Sequence, residues 1–207
     1  MLPGLIRSFA AMVLVTLSGC ATDVVVEGSF PPALTRPLPV SATLVFEQPF
    51  REYIFRNESA REVSIAVGTT QMALFTTVAR SMFKQLATLD QLPVSAATDL
   101  IIMPVVEEVQ MAMPSETQLN IFEVWIKYNI RVFDANGTPL ADWIMPAYGK
   151  TPTRFLKSDT EALNQAAIVA LRDAGANLVT GFARVPEVAD WLATRSARSA
   201  PPQERAP

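Results

Sequence analysis

The clearest pattern in the chain is a strict alternation of side chains over residues 119–133. Every second position is apolar, and most of the positions between them are charged or polar. A period of two over this length predicts an antiparallel strand with one buried face. The apolar series is Phe122, Val124, Ile126, Tyr128, Ile130 and Val132. Residues 134–137, Asp-Ala-Asn-Gly, favour a hairpin turn, so residues 140–148 are expected to return as the partner strand.

Two longer segments repeat their apolar positions at helical spacing. Residues 69–89 carry one apolar stripe, which predicts a helix packed on a sheet. Residues 158–182 predict a second main helix, which begins with Ser158 and Glu161 at the spacing of a capping box. The inner stripe of this second helix is rich in alanine, so we expect it to approach the sheet closely. Pro186 begins a short final helix.

The remaining apolar runs predict further strands. Residues 40–48 and 99–111 are the stronger candidates, and residues 50–55 and 62–67 are weaker ones. Strands grouped around two helices predict an α+β fold. We expect a two-layer sandwich in which two main helices cover a mostly antiparallel sheet.

The N-terminus has the composition of an export signal. Residues 1–7 contain one positive charge, Arg7, and residues 9–17 are almost entirely apolar. Such a run is too short to cross a bilayer core of about 30 Å as a helix, but it is typical of the core of a signal peptide. The small residues Ser18 and Gly19 follow, and then Cys20, the only cysteine of the chain.

The sequence Leu17-Ser18-Gly19-Cys20 resembles the lipobox of bacterial lipoproteins. The resemblance implies cleavage after Gly19 and a diacylglyceryl thioether on Cys20, with acylation of the new amine. Two or more acyl chains make attachment to a membrane durable. Ala21, rather than Asp, follows the cysteine, and under the enterobacterial sorting rule this implies the outer membrane. The alternatives are an ordinary secretory signal with an incidental cysteine, or a buried core cysteine.

These signals divide the chain into four parts. We expect residues 1–19 to be the signal peptide. Residues 20–39 are expected to be the cysteine, lipidated as the resemblance implies, and a flexible tether that contains Gly28 and four prolines. Within this tether, residues 24–26 are also compatible with a short edge strand. Residues 40–195 are a periplasmic α+β domain, and residues 196–207 are expected to be a disordered tail. The element order loosely resembles LptE-type lipopolysaccharide-assembly lipoproteins and CsgG-like secretion lipoproteins, but no functional motif of those families is matched.

The composition excludes several kinds of functional site. The 207 residues include no histidine, and the net charge is −3. Histidine-based acid–base catalysis and histidine-ligated metals are therefore excluded, and the acidic balance argues against nucleic-acid binding. Glu107-Glu108 is the only acidic doublet, and neighbouring strand residues point to opposite faces, so no convergent carboxylate pair is visible. We expect neither a metal nor a cofactor, apart from the covalent lipid on Cys20, and no enzymatic activity.

Three aromatic residues are the candidate interaction surface. Trp125, Phe133 and Trp143 would form an exposed patch if they shared the outer face of the hairpin. The alternative is that helices cover this face, or that the strand register turns these residues into the core. The sequence therefore indicates an envelope accessory that acts through protein contacts in assembly, transport or maintenance. The alternative function is a periplasmic module that binds a lipid or another amphiphile in a groove between sheet and helices.

Overall fold

The computed structural model describes residues 22–57, 63–117, 119–153 and 158–199. The signal peptide, the cleavage position Gly19, Cys20 and residues 200–207 lie outside the described residues. No helix within the described ranges is long and apolar enough to cross a membrane. Along the chain the elements are β1 (Thr22–Val25), β2 (Leu38–Val45), α1 (Gln48–Arg51), β3 (Ile54–Asn57), β4 (Val63–Ala66), α2 (Gly68–Met82), β5 (Phe83–Leu89), β6 (Leu100–Ala112), α3 (Pro114–Thr117), β7 (Ile121–Asp134), β8 (Pro139–Pro152), α4 (Asp159–Gly181) and α5 (Pro186–Ser199).

The main layer is a five-stranded sheet with the strand order β5-β2-β6-β7-β8. Strands β6, β7 and β8 form the expected antiparallel meander, whereas β2 runs parallel to both β5 and β6. The alternation predicted for β7 is confirmed, because the whole apolar series from Phe122 to Val132 is buried. The hairpin turn is confirmed as well. Gly137 has a φ of 77°, and the Asp134 amide donates to the Thr138 carbonyl at 2.9 Å.

Helices α2 and α4 cover one face of this sheet, so the α+β class with two main helices is confirmed. The capping prediction for α4 is also correct, since the Glu161 amide donates to Ser158 Oγ at 3.1 Å. The two helices meet where Gly175 of α4 faces Leu74 and Val78 of α2. The core lies between these helices and the inner face of the sheet.

The expected long helix over residues 69–89 is wrong in its last third. Helix α2 ends at Met82, and residues 83–89 form β5, which pairs parallel with β2. Only Phe83 of this strand is fully buried, and it packs edge-on against Phe182 at 5.3 Å between ring centroids. Hydrogen bonding to the otherwise free edge of β2 therefore overrides the helical spacing of the segment.

The expected tether is partly folded onto the domain, and the strand interpretation of residues 24–26 is the one that the structure supports. Residues 22–25 form β1, which pairs parallel with β4 in a separate three-stranded sheet of order β1-β4-β3. Val24 and Val26 are buried in the main core. Their burial is the physical reason that this segment does not behave as a free linker.

The C-terminal boundary also needs a correction. Helix α5 continues to Ser199, so residues 196–199 are helical rather than part of a disordered tail. The helix is held by Val188, which is buried, and by an ion pair between Arg195 and Asp99. The same guanidinium lies 5.4 Å from the centre of the Trp191 ring.

Candidate functional site

The three aromatic residues proposed as a shared patch are not brought together. Trp125 is 37% exposed on the outer face of β7, the face turned away from the helices. Phe133 lies on the same side of the strand but is buried, and Trp143 lies on the opposite side of the sheet. Of the expected patch, only Trp125 contributes to an exposed surface.

Phe133 is covered by the loop between β5 and β6. This residue packs in a small cluster with Val45, Ile101 and Met103, and Ala96 of the loop closes the cluster. The loop is fastened by a hydrogen bond from the Ala96 amide to the Ala135 carbonyl at 2.8 Å. A loop therefore buries one half of the outer face and leaves the half around Trp125 open.

Trp143 is turned inward by the pairing register. It lies opposite Ile130, which belongs to the buried series of β7, and cross-strand partners share a face. Its ring packs against Phe182 at 6.1 Å between centroids. Trp143 is therefore a packing residue beneath the helices.

The open half of the outer face forms a groove of about 400 Å³, which we call the aromatic groove. Its centre consists of Trp125, Tyr148 and Ile144, with the first two rings 5.3 Å apart and inclined by 32°. Ile144 is 47% exposed. The polar rim of the groove consists of Glu108, Gln110, Lys127, Asp173 and Asn177. An apolar centre inside a polar rim is the usual anatomy of a protein interface.

Tyr148 is held in this groove by a hydrogen bond from its hydroxyl to the carboxylate of Glu123. This hydrogen bond, together with burial and repulsion from the Glu123 charge, raises the pKa of Tyr148 to about 12. The phenol therefore stays protonated at physiological pH. The hydrogen bond to Glu123 fixes the tyrosine ring beside Trp125.

The rim on the side of α4 also blocks the edge of the sheet. The Tyr148 amide donates to Asp173 Oδ2 at 3.0 Å, and Asn177 Nδ2 donates to the Pro146 carbonyl at 3.0 Å. These two bonds occupy outward-facing backbone groups of β8, which is an edge strand. Pairing of another strand with β8 at this point is therefore prevented, and a partner would have to contact the face of the sheet.

The carboxylates of the groove have structural partners. Asp173 accepts the two hydrogen bonds of Tyr148 and Asn177, and Glu108 accepts one from the Gln110 side chain. Glu107 lies at a register shift of β6, and both members of the acidic doublet are exposed. Within the described residues, no group of three or more acidic or cysteine side chains is arranged to hold a metal ion.

A second concavity lies between the two main helices and is roofed by the segment after β1. This helix groove has a volume of about 690 Å³ and is lined mainly by apolar side chains, with Arg172 as the one charged lining residue. Phe30 and the residues after it form the roof, and the Ala33 amide fixes the roof by donating to Ser81 Oγ at 3.1 Å. This concavity lies between the helices and the N-terminal segment, whereas the alternative function placed its groove between the sheet and the helices.

Sequence reasoning missed Ile144 and Tyr148 as surface residues. The pairing of the two hairpin strands could have identified them, because residues that pair across a hairpin face the same side of the sheet. Once Trp125 is assigned to the outer face, its partner in β8 must face outward too, and that partner is Tyr148. The register depends on a shift next to Phe133, where Val132 pairs with Ala141 and Phe133 with Pro139. Nothing in the periodicity of the chain predicts that shift.

No family model matches the chain, and no curated protein sequence is similar to it. Among solved structures, the chain is similar to a DUF330 protein of Xanthomonas campestris with a TM-score of 0.55 at 11% identity, covering 86% of this chain and 100% of that one. A minor lipoprotein of Acinetobacter baumannii gives a TM-score of 0.42 at 10% identity, covering 74% and 96%. A lipoprotein of Neisseria meningitidis gives 0.31 at 14% identity, covering 67% and 99%. The Xanthomonas protein therefore shares the fold, and its similarity extends no further.

Proposed function

We propose that the protein is a lipid-anchored lipoprotein of the bacterial outer membrane whose periplasmic domain acts without catalysis, through contacts with an envelope protein. The lipobox Leu17-Ser18-Gly19-Cys20 is the single observation that carries this proposal. It combines an apolar signal core, two small residues and the only cysteine of the chain. Ala21 after the cysteine supports the outer membrane as the destination.

The aromatic groove supports the second half of the proposal. Trp125 and Ile144 expose apolar surface beside charged neighbours, and aromatic anchors of this kind dominate the energy of protein interfaces. The edge of the sheet next to the groove is already hydrogen-bonded to α4. A partner would therefore insert a side chain or a short segment between Trp125 and Ile144, with charges placed to meet Lys127 and Glu108.

Anchoring is tested with a Cys20→Ala variant. We expect this variant to fold and to appear in the soluble periplasmic fraction, whereas wild type remains with the membranes. Cys20→Ala removes the acceptor of the lipid and leaves the described domain unchanged. Equal membrane association of the two proteins, in fractions washed with high salt, would contradict the anchor.

The partner surface is tested by cross-linking in intact cells of the native host. A photo-reactive phenylalanine analogue at Ile144 is expected to give a discrete adduct with an envelope protein. The matched control is the same analogue at Val94, an apolar residue that is 92% exposed and lies outside the groove. A Trp125→Ala substitution should remove the adduct formed at position 144. Identical adducts from both positions, or an adduct that survives Trp125→Ala, would count against the groove.

The helix groove favours amphiphile binding as a second candidate function. Its volume lies within the range of about 300–1,000 Å³ that is typical of small-ligand sites, and Arg172 provides a cation at a mainly apolar wall. A fluorescent fatty-acid analogue should bind to wild type and should lose binding in Ala176→Trp, which fills the groove from an exposed position. Ala193→Trp, at an exposed position of α5, is the control. Equal binding to both variants would reject this candidate.

A further inference from the structure

The connection between the proposed lipid and the folded domain is very short. Strand β1 begins at Thr22, so only Ala21 separates Cys20 from the first described residue. At about 3.6 Å per residue, the Cα atom of Cys20 lies within about 7 Å of the Cα atom of Thr22. A lipid on Cys20 would therefore hold β1 next to the bilayer.

Strand β1 is firmly attached to the domain. Besides its pairing with β4, the Val26 amide donates to the Ala66 carbonyl at 3.0 Å, and the Thr70 hydroxyl donates to the Val26 carbonyl. The Glu27 amide donates to Asn164 Oδ1 of α4 at 3.1 Å. These bonds reach β4, α2 and α4. A longer connection between Cys20 and the domain would require β1 to detach, which would break several of these bonds and expose Val24 and Val26.

The outward face of the three-stranded sheet carries an exposed apolar row. Val25 of β1 and Ile54 of β3 both lie opposite Ala66 of β4, so the three side chains share one face. Val25 is 66% exposed and Ile54 is 42% exposed. The next row on this face is polar and consists of Asp23, Ser64 and Arg56, in which the Ser64 hydroxyl donates to Asp23 at 2.6 Å.

We propose that this face of the three-stranded sheet, around Val25, Ala66 and Ile54, rests on the bilayer surface. The inference depends on the proposed lipidation of Cys20. At full extension Val25 lies within about 18 Å of Cys20, and Ile54 is two strands, or about 10 Å, further across the sheet. The exposed side chains of this apolar row are therefore close enough to the lipid on Cys20 to contact the bilayer surface. Arg56, in the adjacent row, is placed to meet lipid phosphate groups.

This placement gives the domain a fixed orientation on the membrane. A lipoprotein on a long linker samples many orientations, whereas one fastened at β1 presents the same surfaces to the periplasm at all times. A second copy of the chain is the alternative occupant of the same face. A second copy would cover Val25 and Ile54 whether or not vesicles are present, whereas the bilayer covers them only when vesicles are present. An experiment with and without vesicles therefore separates the two occupants.

The test uses the whole lipidated protein, residues 20–207, in vesicles of phosphatidylethanolamine and phosphatidylglycerol. Because lipid blocks Cys20, a cysteine introduced at Val25→Cys or Ile54→Cys is the only free thiol and accepts an environment-sensitive fluorophore. The matched control is Val94→Cys, at a 92% exposed valine outside this sheet. All three positions are exposed, so the label does not displace a core side chain, and an unchanged unfolding transition verifies this.

Labels at positions 25 and 54 are expected to shift to shorter wavelength when vesicles are present and to lose most of their emission when the acyl chains carry bromine. The label at position 94 should do neither. Labels at 25 and 54 that respond no more than the label at 94, in protein that floats with the vesicles, would overturn the inference and leave the anchor intact. Blue-shifted labels without vesicles, together with a dimer in sedimentation, would overturn it in favour of a second copy. Wild type that does not float with vesicles would refute the lipid anchor itself, and the inference with it.

Discussion

The backbone of Gly149 in β8 lies directly against the backbone of Ala170 in α4. A Cβ atom built on Gly149 would be 2.3 Å from the Ala170 nitrogen and 2.1 Å from the Ala166 carbonyl oxygen. These neighbours are main-chain atoms and cannot rotate away. The small side chains along α4 thus let the helix approach the sheet closely, and this contact positions Asp173 and Asn177 at the rim of the aromatic groove.

Gly149→Ala is therefore expected to destabilise the domain. Inserting a methyl group into a packed contact commonly lowers the free energy of unfolding by about 1–3 kcal/mol. Because the neighbours here are main-chain atoms, we expect a loss at or above the upper end of that range. The measurement is the free energy of unfolding from urea titration. Gly181→Ala at the end of α4 is the control, because a Cβ there meets no atom within 4 Å. Equal stability of the two variants would show that the close contact does not exist.

A buried hydrogen-bond chain links three elements of the core. The Tyr128 hydroxyl donates to Gln71 Oε1 at 3.0 Å, and Gln71 Nε2 donates to the Phe50 carbonyl at 2.7 Å. All of the Gln71 side chain is buried. Gln71→Leu leaves the Tyr128 hydroxyl and the Phe50 carbonyl without these partners, so we expect the free energy of unfolding to fall by about 1–3 kcal/mol.

Tyr128→Phe removes the other end of the same chain, and it should be destabilising by a similar mechanism. Because the two residues share one hydrogen bond, the loss in the double variant should be smaller than the sum of the single losses. A double-mutant cycle in urea measures this difference directly. Strict additivity would mean that the two side chains do not interact.

The tyrosines provide a prediction about pH. Burial raises the pKa of Tyr53 and Tyr128, and the hydrogen bond to Glu123 is the main reason that the pKa of Tyr148 rises to about 12. These are the three tyrosines of the chain. Phenolate absorbance of the folded protein should therefore show no tyrosine that titrates at the ordinary value of about 10, whereas the unfolded chain should show three.

Tyr148→Phe should remove the transition near pH 12. A folded-state pKa above the unfolded value means that the contribution of Tyr148 to stability is complete below about pH 10 and is lost as the pH rises through about 12. The alkaline loss of stability should accordingly be smaller in Tyr148→Phe than in wild type. A folded-state transition at the ordinary value that Tyr148→Phe abolishes would contradict the hydrogen bond to Glu123.

The sequence was most informative where one local pattern determined the structure. The period of two from Phe122 to Val132 identified β7 because one face of that strand is buried along its length. Asn136-Gly137 predicted the turn because its backbone conformation is local. Ser158 predicted the start of α4 because its side chain bonds to the backbone three residues away.

Features that depend on distant partners were not predictable in this way. Residues 83–89 have helical spacing and became a strand only because β2 offered a free edge. Residues 24–26 were compatible with either a linker or a short strand, and only the pairing of residues 22–25 with β4 decides between the two. The inward orientation of Trp143 depends on the register shift beside Phe133, and periodicity does not predict that shift. The candidate surface shifted accordingly from three aromatic residues to Trp125, Tyr148 and Ile144.

The central claim is that Cys20 carries the membrane anchor, and intact mass spectrometry of the protein extracted from native membranes tests it most directly. The predicted mass is that of residues 20–207 plus a diacylglyceryl group and an amide-linked acyl chain, with all added lipid on the N-terminal cysteine. A chain that retains residues 1–19, or one that begins elsewhere and contains an unmodified Cys20 thiol, would contradict the account.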